Sequence, residues 1–223
     1  MNSKEVPEAT HFHPDKLVRL TPIYGIEVCI YPVALVGDIE TERKKLSPRD
    51  QVRLRAINHP QKKKEFIASR LALKQLDPNY RLIYEGRVPW MDNSGKYVSL
   101  THAHNVGAAI LSQDYIVGID VELQREQLFK IAPKFLHPDE AKHIRPGREL
   151  EDLHVYWGAK EALFKIWKFG EVDFSHELRV DPFPPQPFGE TTAQILKFDS
   201  IIPCQVNYQL VEGHHLVFAW TIA

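Results

Sequence analysis

The chain has 223 residues, of which 43% are hydrophobic and 26% are charged, and this composition is ordinary for a globular protein. That length is enough for one large domain or two small ones with a substantial core. The formal net charge of -1 predicts no global attraction to nucleic acid or to an anionic membrane. Any binding of anions therefore has to come from local clusters of charge.

The chain carries no pattern typical of export or of a membrane span. Its first twenty or so residues are polar, include His11, His13 and Pro14, and are interpreted as an arm. No apolar run approaches the ~18 residues that indicate a membrane span, and a signal-peptide core is missing. The two cysteines, Cys29 and Cys204, lie in no metal-binding spacing. We expect a soluble cytoplasmic protein without a zinc site or a disulfide framework.

The first half of the chain predicts strands around two helices. The apolar, β-branched stretch from Ile23 to Val36 favours a strand. Ser47 as N-cap and Pro48 at the first helical position predict a helix start. The break at 58–60 leads into a second helix from Gln61 to Leu76, whose apolar residues recur mainly every three or four positions. The remaining segments are predicted as a loop over 85–96 and short strands over 98–100 and 107–111.

The second half repeats that order of elements. Tyr115 to Val121 is a strongly apolar strand, and the longest helix is predicted from Leu150 to Phe169, with Gly170 as its stop. Shorter helices are predicted over 128–135 and from His137, and strands near 193–196, 205–211 and 216–222. The pattern predicts an α+β fold with a pseudo-twofold duplication of two lobes, each a small mainly antiparallel sheet packed on helices. The expected lobes span residues 1–112 and 113–223.

Two acidic features stand out from this pattern. Asp120 and Glu122 lie two apart on a strand, so both carboxylates project from the same face. Converging carboxylates are the hard oxygen ligands that Mg²⁺ prefers. Glu161 and Lys165 lie one helical turn apart, with Trp157 one turn earlier. Taken singly, each feature is equally compatible with a solvated strand end or a surface ion pair.

Two basic features could bind phosphate. The segment Thr101-His102-Ala103-His104 lies between two short strands, where a histidine could donate to a phosphate oxygen or act as a base. Lys62-Lys63-Lys64 begins a helix, where backbone N–H groups also favour anions, and Arg70 follows two turns later. Loop histidines and lysine runs are more often simply solvated.

In combination and in this order, the four features resemble the 4'-phosphopantetheinyl transferase superfamily, in its two-lobed surfactin-synthetase-activator type. The family's (V/I)G(I/V)D(I/V)E strand is matched by Val117-Gly118-Ile119-Asp120-Val121-Glu122. Its (W/F)xxKE(A/S)xxK helix is matched by Trp157-Gly158-Ala159-Lys160-Glu161-Ala162-Leu163-Phe164-Lys165. Leu100-Thr101-His102 is similar to the family's serine-histidine step. The resemblance covers roughly Ser47 to Gly170.

The resemblance implies roles for individual residues. Asp120, Glu122 and Glu161 are implied as Mg²⁺ ligands, and the catalytic set is implied as Asp120, Glu161 and Lys165. The general base stays open between Glu161 and a metal-bound water. Contacts with coenzyme A are implied at a larger set of positions, namely Thr101, His102, Lys160, Lys165, Lys63, Lys64, Arg70 and Arg87. Which of these basic residues, or of their neighbour Lys62, holds the 3'-phosphate is not resolved.

The sequence departs from the family in two places. Ala103 replaces the serine that follows the histidine, and Thr101 replaces the serine before it but keeps a hydroxyl. The family's Gly-Lys-Pro step reads Gly86-Arg87-Val88-Pro89, with a valine inserted. These departures favour one rival, a protein of the same fold that binds coenzyme A or a carrier but has lost transfer. A second rival is a magnesium-dependent nuclease or phosphohydrolase.

The activity implied is transfer of 4'-phosphopantetheine from coenzyme A to a serine of an apo acyl, peptidyl or aryl carrier protein, with release of 3',5'-ADP. Such phosphoryl transfer depends mainly on positioning and charge neutralisation, which carboxylate-bound Mg²⁺ and basic side chains supply. Because the chain contains two lobes, it is expected to act as a monomer, unlike the shorter trimeric branch of the superfamily. Recognition of an acidic carrier would need a local basic surface.

Overall fold

The computed structural model describes residues 16–92, 94–211 and 213–222, and shows an α+β protein of two lobes. The interpreted arm with His11, His13 and Pro14 lies outside the described residues. In the part of the chain that the structure describes, no helix is long and apolar enough to cross a membrane.

The described residues contain eleven strands and six α-helices. The strands are β1 (Val18–Ile23), β2 (Ile26–Pro32), β3 (Leu82–Glu85), β4 (Val88–Met91), β5 (Tyr97–Ala103), β6 (Val106–Ser112), β7 (Tyr115–Leu123), β8 (Leu178–Val180), β9 (Phe188–Lys197), β10 (Ser200–Val211) and β11 (His214–Ile222). The helices are α1 (Ile39–Arg43), α2 (Pro48–Arg55), α3 (Pro60–Leu76), α4 (Gln127–Phe135), α5 (Pro138–Ala141) and α6 (Glu149–Trp167).

Each lobe is built on an antiparallel sheet. The first sheet has the order β1-β2-β6-β5, and the second has the order β7-β11-β10-β9-β8. The triplets β2-β6-β5 and β7-β11-β10 correspond in order and direction, and α3 and α6 pack on the respective sheets. This correspondence is the duplication that the order of elements predicts.

Glycine allows each helix to approach its sheet closely. A Cβ added at Gly118 on β7 would lie 2.0 Å from the carbonyl oxygen of Ala162 on α6. A Cβ added at Gly107 on β6 would lie 2.2 Å from the backbone nitrogen of Ser69 on α3. No side chain fits at either contact, so the glycine of the Val-Gly-Ile-Asp-Val-Glu strand sets how closely α6 lies against β7.

The two sheets pack face to face around one shared core. Apolar residues of β2 and β6 lie in the same buried cluster as those of β7 and β11. The edge strand β5 also contacts β7 of the other sheet. Side-chain hydroxyl groups of β5, rather than its backbone, make the hydrogen bonds to β7. Ser99 Oγ accepts from the Ile119 N–H at 3.3 Å, and Thr101 Oγ1 accepts from the Val121 N–H at 3.4 Å. This contact brings the Thr101-His102 segment beside the acidic strand.

Most predicted elements are present, with three differences. Ser47 caps α2 and Pro48 begins it, as predicted. The single strand predicted from Ile23 to Val36 is instead β1, a turn with Gly25 at φ 86°, β2 and a short 3-10 helix. The segment predicted as a loop over 85–96 contains β4 and, at Glu85, the end of β3, which form a hairpin. The long helix ends at Lys168, which adopts the left-handed conformation expected of Gly170.

Candidate active site

Asp120 lies at the centre of the candidate site and is only 6% exposed. Its Oδ1 accepts hydrogen bonds from Lys165 Nζ at 2.8 Å and from Thr101 Oγ1 at 3.2 Å. Lys165 also donates to the Ile119 carbonyl at 2.7 Å. Asp120 Oδ2 is buried and has no hydrogen-bond partner among the described residues. A buried carboxylate oxygen without a donor is costly, because its hydration is lost without replacement.

The two other predicted carboxylates interact electrostatically with Asp120. Burial, reinforced by the negative charge of Asp120, raises the pKa of Glu161 to about 7. The same two causes raise the pKa of Glu122, although Arg125 lies 3.4 Å from its Oε2 and opposes the shift. Two partly desolvated carboxyl groups whose pKa is raised by burial and by the charge of Asp120 form, with it, a site where a cation would be favourable.

The acidic group fits Mg²⁺ in chemistry and only partly in arrangement. Carboxylate oxygens are the ligands that Mg²⁺ takes, and the unpartnered Oδ2 of Asp120 is available for one. Across residues 16–92, 94–211 and 213–222, however, no three His, Cys, Asp or Glu side chains converge closely enough to hold a metal ion. Asp120 is instead engaged by Lys165. The ligand roles of Asp120, Glu122 and Glu161 remain a prediction.

Thr101 was expected to contact the coenzyme, and the structure gives its hydroxyl another partner. Thr101 Oγ1 donates to Asp120 and accepts from the Val121 N–H, so both functions of the group are used within the protein. The threonine therefore orients the Asp120 carboxylate. The hydroxyl that Thr101 shares with serine is what this contact requires.

His102 follows on β5, with its ring turned towards α3. Its Nδ1 lies 3.5 Å from Oε2 of the buried Glu65, which also pairs with Lys62 at 2.7 Å. Burial, together with the positive charge of Arg70, lowers the pKa of His102, although Glu65 opposes this shift. A neutral histidine at neutral pH can donate one hydrogen bond. Glu65 was missed by the sequence analysis, since nothing in an isolated Lys-Lys-Glu run shows that its carboxylate is buried.

Lys160 does not reach the candidate site, which corrects the prediction that it contacts the coenzyme. It is fully buried, and its ammonium donates to the carbonyls of Phe135 at 2.7 Å and Phe174 at 2.9 Å. It also lies 2.6 Å from Glu140 Oε2. Because the side chains of adjacent helical residues point about 100° apart, Lys160 and Glu161 lie on different sides of α6. Lys160 fastens α6 to α4, α5 and the segment that follows α6.

Arg70 is also a structural residue, contrary to the prediction that it binds phosphate. It is 6% exposed, its guanidinium lies 3.6 Å from the centre of the Phe66 ring, and its Nε donates to Asp50 at 3.2 Å. Its other nitrogens donate to Ser69 and Tyr84 at 2.9 Å each. With these donors engaged, Arg70 stabilises the packing of α2, α3 and β3.

The other predicted basic residues, Lys63, Lys64 and Arg87, lie in the first lobe. Lys63 lines a hollow of about 180 Å³ with Arg43 and Arg55, two arginines that the sequence analysis missed. They escaped notice because they lie on α1 and α2, outside the lysine run. Lys64 is partly exposed on α3, and Arg87 is exposed at the turn between β3 and β4.

Comparison with known proteins gives one family match, which lies in the second lobe. No curated protein matches the chain. Residues 116–219 match the family model of the 4'-phosphopantetheinyl transferase superfamily. The matched segment begins within β7, ends within β11 and includes the motif residues Asp120, Glu122, Glu161 and Lys165. Residues 116–219 of this chain are therefore similar to the 4'-phosphopantetheinyl transferase superfamily.

Proposed function

We propose that the protein transfers 4'-phosphopantetheine from coenzyme A to a serine of an apo acyl or peptidyl carrier protein, in a magnesium-dependent reaction that releases 3',5'-ADP. The observation that carries this proposal is the environment of Asp120 within the segment that matches the superfamily. One carboxylate oxygen is fixed by Lys165 and Thr101, and the other is buried without a donor. The raised pKa values of Glu122 and Glu161 support the same conclusion.

Substrate binding would rest on charge neutralisation. Asp120, Glu122 and Glu161 would hold Mg²⁺, which when bound neutralises charge on the coenzyme diphosphate. Lys165 is partly buried at this point and would contact the diphosphate from α6. His102 would donate a hydrogen bond to a coenzyme phosphate from β5. These groups come from both lobes, so the substrate would lie across the contact between β5 and β7.

The chemical step needs a proton acceptor for the carrier serine. The serine oxygen bonds to the β-phosphorus, the bond from that phosphorus to the bridging oxygen breaks, and the electron pair leaves with 3',5'-ADP. We propose Glu161 as the group that takes the serine proton, on the basis of its place in the Trp-x-x-Lys-Glu motif.

The nucleotide end of coenzyme A would be held by basic residues of the first lobe. Lys63 and Lys64 on α3 and Arg87 in the β3–β4 turn stay as the proposed contacts. The hollow that Lys63 shares with Arg43 and Arg55 is also lined by Glu40, which pairs with Arg43 at 2.8 Å, so the positive charge left for a phosphate group comes from Lys63 and Arg55. The proposed carrier carries an acidic recognition helix, and the proposed working state is a monomer because two lobes already build the site.

A mass-spectrometric transfer assay tests the proposal. The protein is incubated with coenzyme A, Mg²⁺ and a panel of apo carrier proteins, and each carrier is then weighed. We expect a phosphopantetheine adduct on at least one carrier, absent with a chelator and absent on that carrier when its serine is replaced by alanine. Binding of coenzyme A without an adduct on any carrier would instead favour a non-catalytic member of the fold. Release of phosphate without a carrier would favour a phosphohydrolase.

A further inference from the structure

Lys168 ends α6 in a conformation that lysine rarely adopts. Its φ angle is 61°, in the left-handed region, where glycine is favoured at the end of a helix. A side chain other than glycine in this region is strained, and such strain persists only where the surrounding structure enforces it. Glycine follows two positions later at Gly170, so the helix could have ended without this strain.

The side chain of Lys168 is held against Trp90 of the first lobe. Its Nζ lies 4.2 Å from the centre of the Trp90 ring on β4, within the range of a cation–π contact. Burial lowers the pKa of this ammonium to about 8, with no opposing carboxylate. Among the described residues, Lys168 forms no ion pair and no side-chain hydrogen bond.

Trp90 lacks a hydrogen-bond partner as well. Its indole Nε1 is buried and donates to no acceptor in the described ranges. The lysine ammonium and the indole N–H are hydrogen-bond donors only. Lys168 and Trp90, which are in contact, therefore both lack a hydrogen-bond acceptor. An acceptor with a negative charge would also neutralise the partly buried ammonium. The carbonyls at the end of α6 favour a nearby cation, but none of them accepts from Lys168 Nζ.

The position of Lys168 relates this pair to the candidate active site. Glu161, Lys165 and Lys168 are spaced i, i+4 and i+7, which places them along one face of α6. The rise of 1.5 Å per residue puts Lys168 about 10 Å along the helix from Glu161. Lys165 is paired with Asp120, whereas Lys168 has no carboxylate partner among the described residues. This face of α6 therefore ends at the Lys168 ammonium, which contacts the first lobe and has no carboxylate to neutralise it.

We infer that Lys168 and Trp90 form an anion-binding subsite, which receives a phosphate or carboxylate group carried by the coenzyme substrate. The inference rests on the proposed function for the identity of the substrate. Two groups share the required chemistry, the 3'-phosphate of coenzyme A and the terminal carboxylate of a dicarboxylic acyl-coenzyme A. Either would accept from Lys168 Nζ, which the Trp90 ring holds in place.

The test compares ligand pairs that differ by one anionic group. Dissociation constants are measured calorimetrically, without a carrier, for coenzyme A against 3'-dephospho-coenzyme A and for succinyl- against acetyl-coenzyme A. Lys168→Met keeps the same backbone strain and removes only the charge, whereas Lys168→Arg keeps the charge. We expect Lys168→Met to reduce the preference for the anionic member of one pair by about tenfold, and Lys168→Arg to retain it. Lys142→Met, which removes an exposed lysine of α5's C-terminal end, is the matched control.

Lys168→Gly adds a second readout. Glycine removes both the charge and the left-handed strain, so this variant should melt at a higher temperature than the wild type while losing the same ligand preference. If the ratio of dissociation constants within each ligand pair is unchanged in Lys168→Met, the inference is overturned. This holds even if the variant binds the carrier more weakly than the wild type does. A wild type that binds these ligands but transfers nothing would refute the proposed function alone. A wild type that binds none of them would refute both.

Discussion

The ammonium of Lys165 lies 2.8 Å from Oδ1 of Asp120 and 2.7 Å from the carbonyl oxygen of Ile119, so one lysine on α6 is bonded to both the side chain and the backbone of β7. This pair fixes the helix and the strand that carry the two sequence motifs. It also neutralises one oxygen of Asp120 and leaves the other without a donor. The proposed roles of the surrounding carboxylates can be tested around this contact.

The first prediction concerns Glu161. Glu161→Gln keeps the size of the side chain and removes its charge, so it removes both a proposed Mg²⁺ ligand and the proposed base. Transfer to the carrier should fall at least about a hundredfold, the usual loss for a general base, while the circular dichroism spectrum is retained. Glu151→Gln is the matched control, since Glu151 lies on the same helix and pairs with Arg148. Near-normal turnover of Glu161→Gln would rule out both roles.

The second prediction concerns Thr101, whose hydroxyl connects β5 to β7. Thr101→Val preserves the shape but removes the donor to Asp120 and the acceptor for the Val121 N–H. We expect it to weaken Mg²⁺ activation of transfer by about tenfold, since one hydrogen bond to a buried carboxylate and one from a backbone N–H are lost. Thr101→Ser should behave as the wild type. If the magnesium dependence of the valine variant is unchanged, the hydroxyl does not orient Asp120.

The third prediction concerns the buried pair of Lys160 and Glu140. Glu140 accepts from the Val180 N–H at 2.9 Å and the His137 N–H at 2.8 Å in addition to Lys160, so the pair joins α6 to α5 and β8. Lys160→Met should lower the free energy of unfolding by about 3–5 kcal/mol, because it leaves a buried carboxylate uncompensated. Urea denaturation measures this loss.

Two further variants of this pair sharpen the interpretation. Adding Glu140→Gln to Lys160→Met should restore part of the lost stability, since glutamine is uncharged and still accepts hydrogen bonds. Lys142→Met breaks an exposed pair with Asp139 and should cost less than about 1 kcal/mol. A Lys160→Met variant as stable as the wild type, yet inactive, would show that Lys160 acts on the reaction directly.

The fourth prediction is a pH dependence of stability at Lys168. Its pKa is lowered to about 8 in the folded protein by burial, so between pH 8 and the usual lysine range the unfolded state binds more protons. The destabilisation is therefore fully present below pH 8 and is relieved as pH rises above it. Lys168→Met should melt at a higher temperature than the wild type at pH 7, and this difference should shrink by pH 10. Thermal melts across that range measure it, and a constant difference would contradict it.

Local physical signals in the sequence predicted much of the fold. Ser47 and Pro48 predicted the start of α2, and apolar periodicity predicted α3 and α6, because capping and amphipathic spacing depend on neighbours within a few residues. The β3–β4 hairpin was missed because Gly86, Pro89 and the run at 92–94 resemble a loop. Its pairing depends on cross-strand partners, and Met91 packs into the core under α3. Composition within the segment does not contain that information.

The sequence by itself determined the family resemblance and the pairing of the motifs, since Asp120, Glu122, Glu161 and Lys165 stand in fixed order at recognisable spacing. Only the tertiary structure decided which charged residues are free to act. Lys160 and Arg70 looked equivalent to their basic neighbours, but burial and specific partners commit both to the core. Lys168 and Trp90 are 78 positions apart in the chain yet in contact. The physical reason is that the free energy of a charge depends on its solvation and its partners, and the fold alone supplies both.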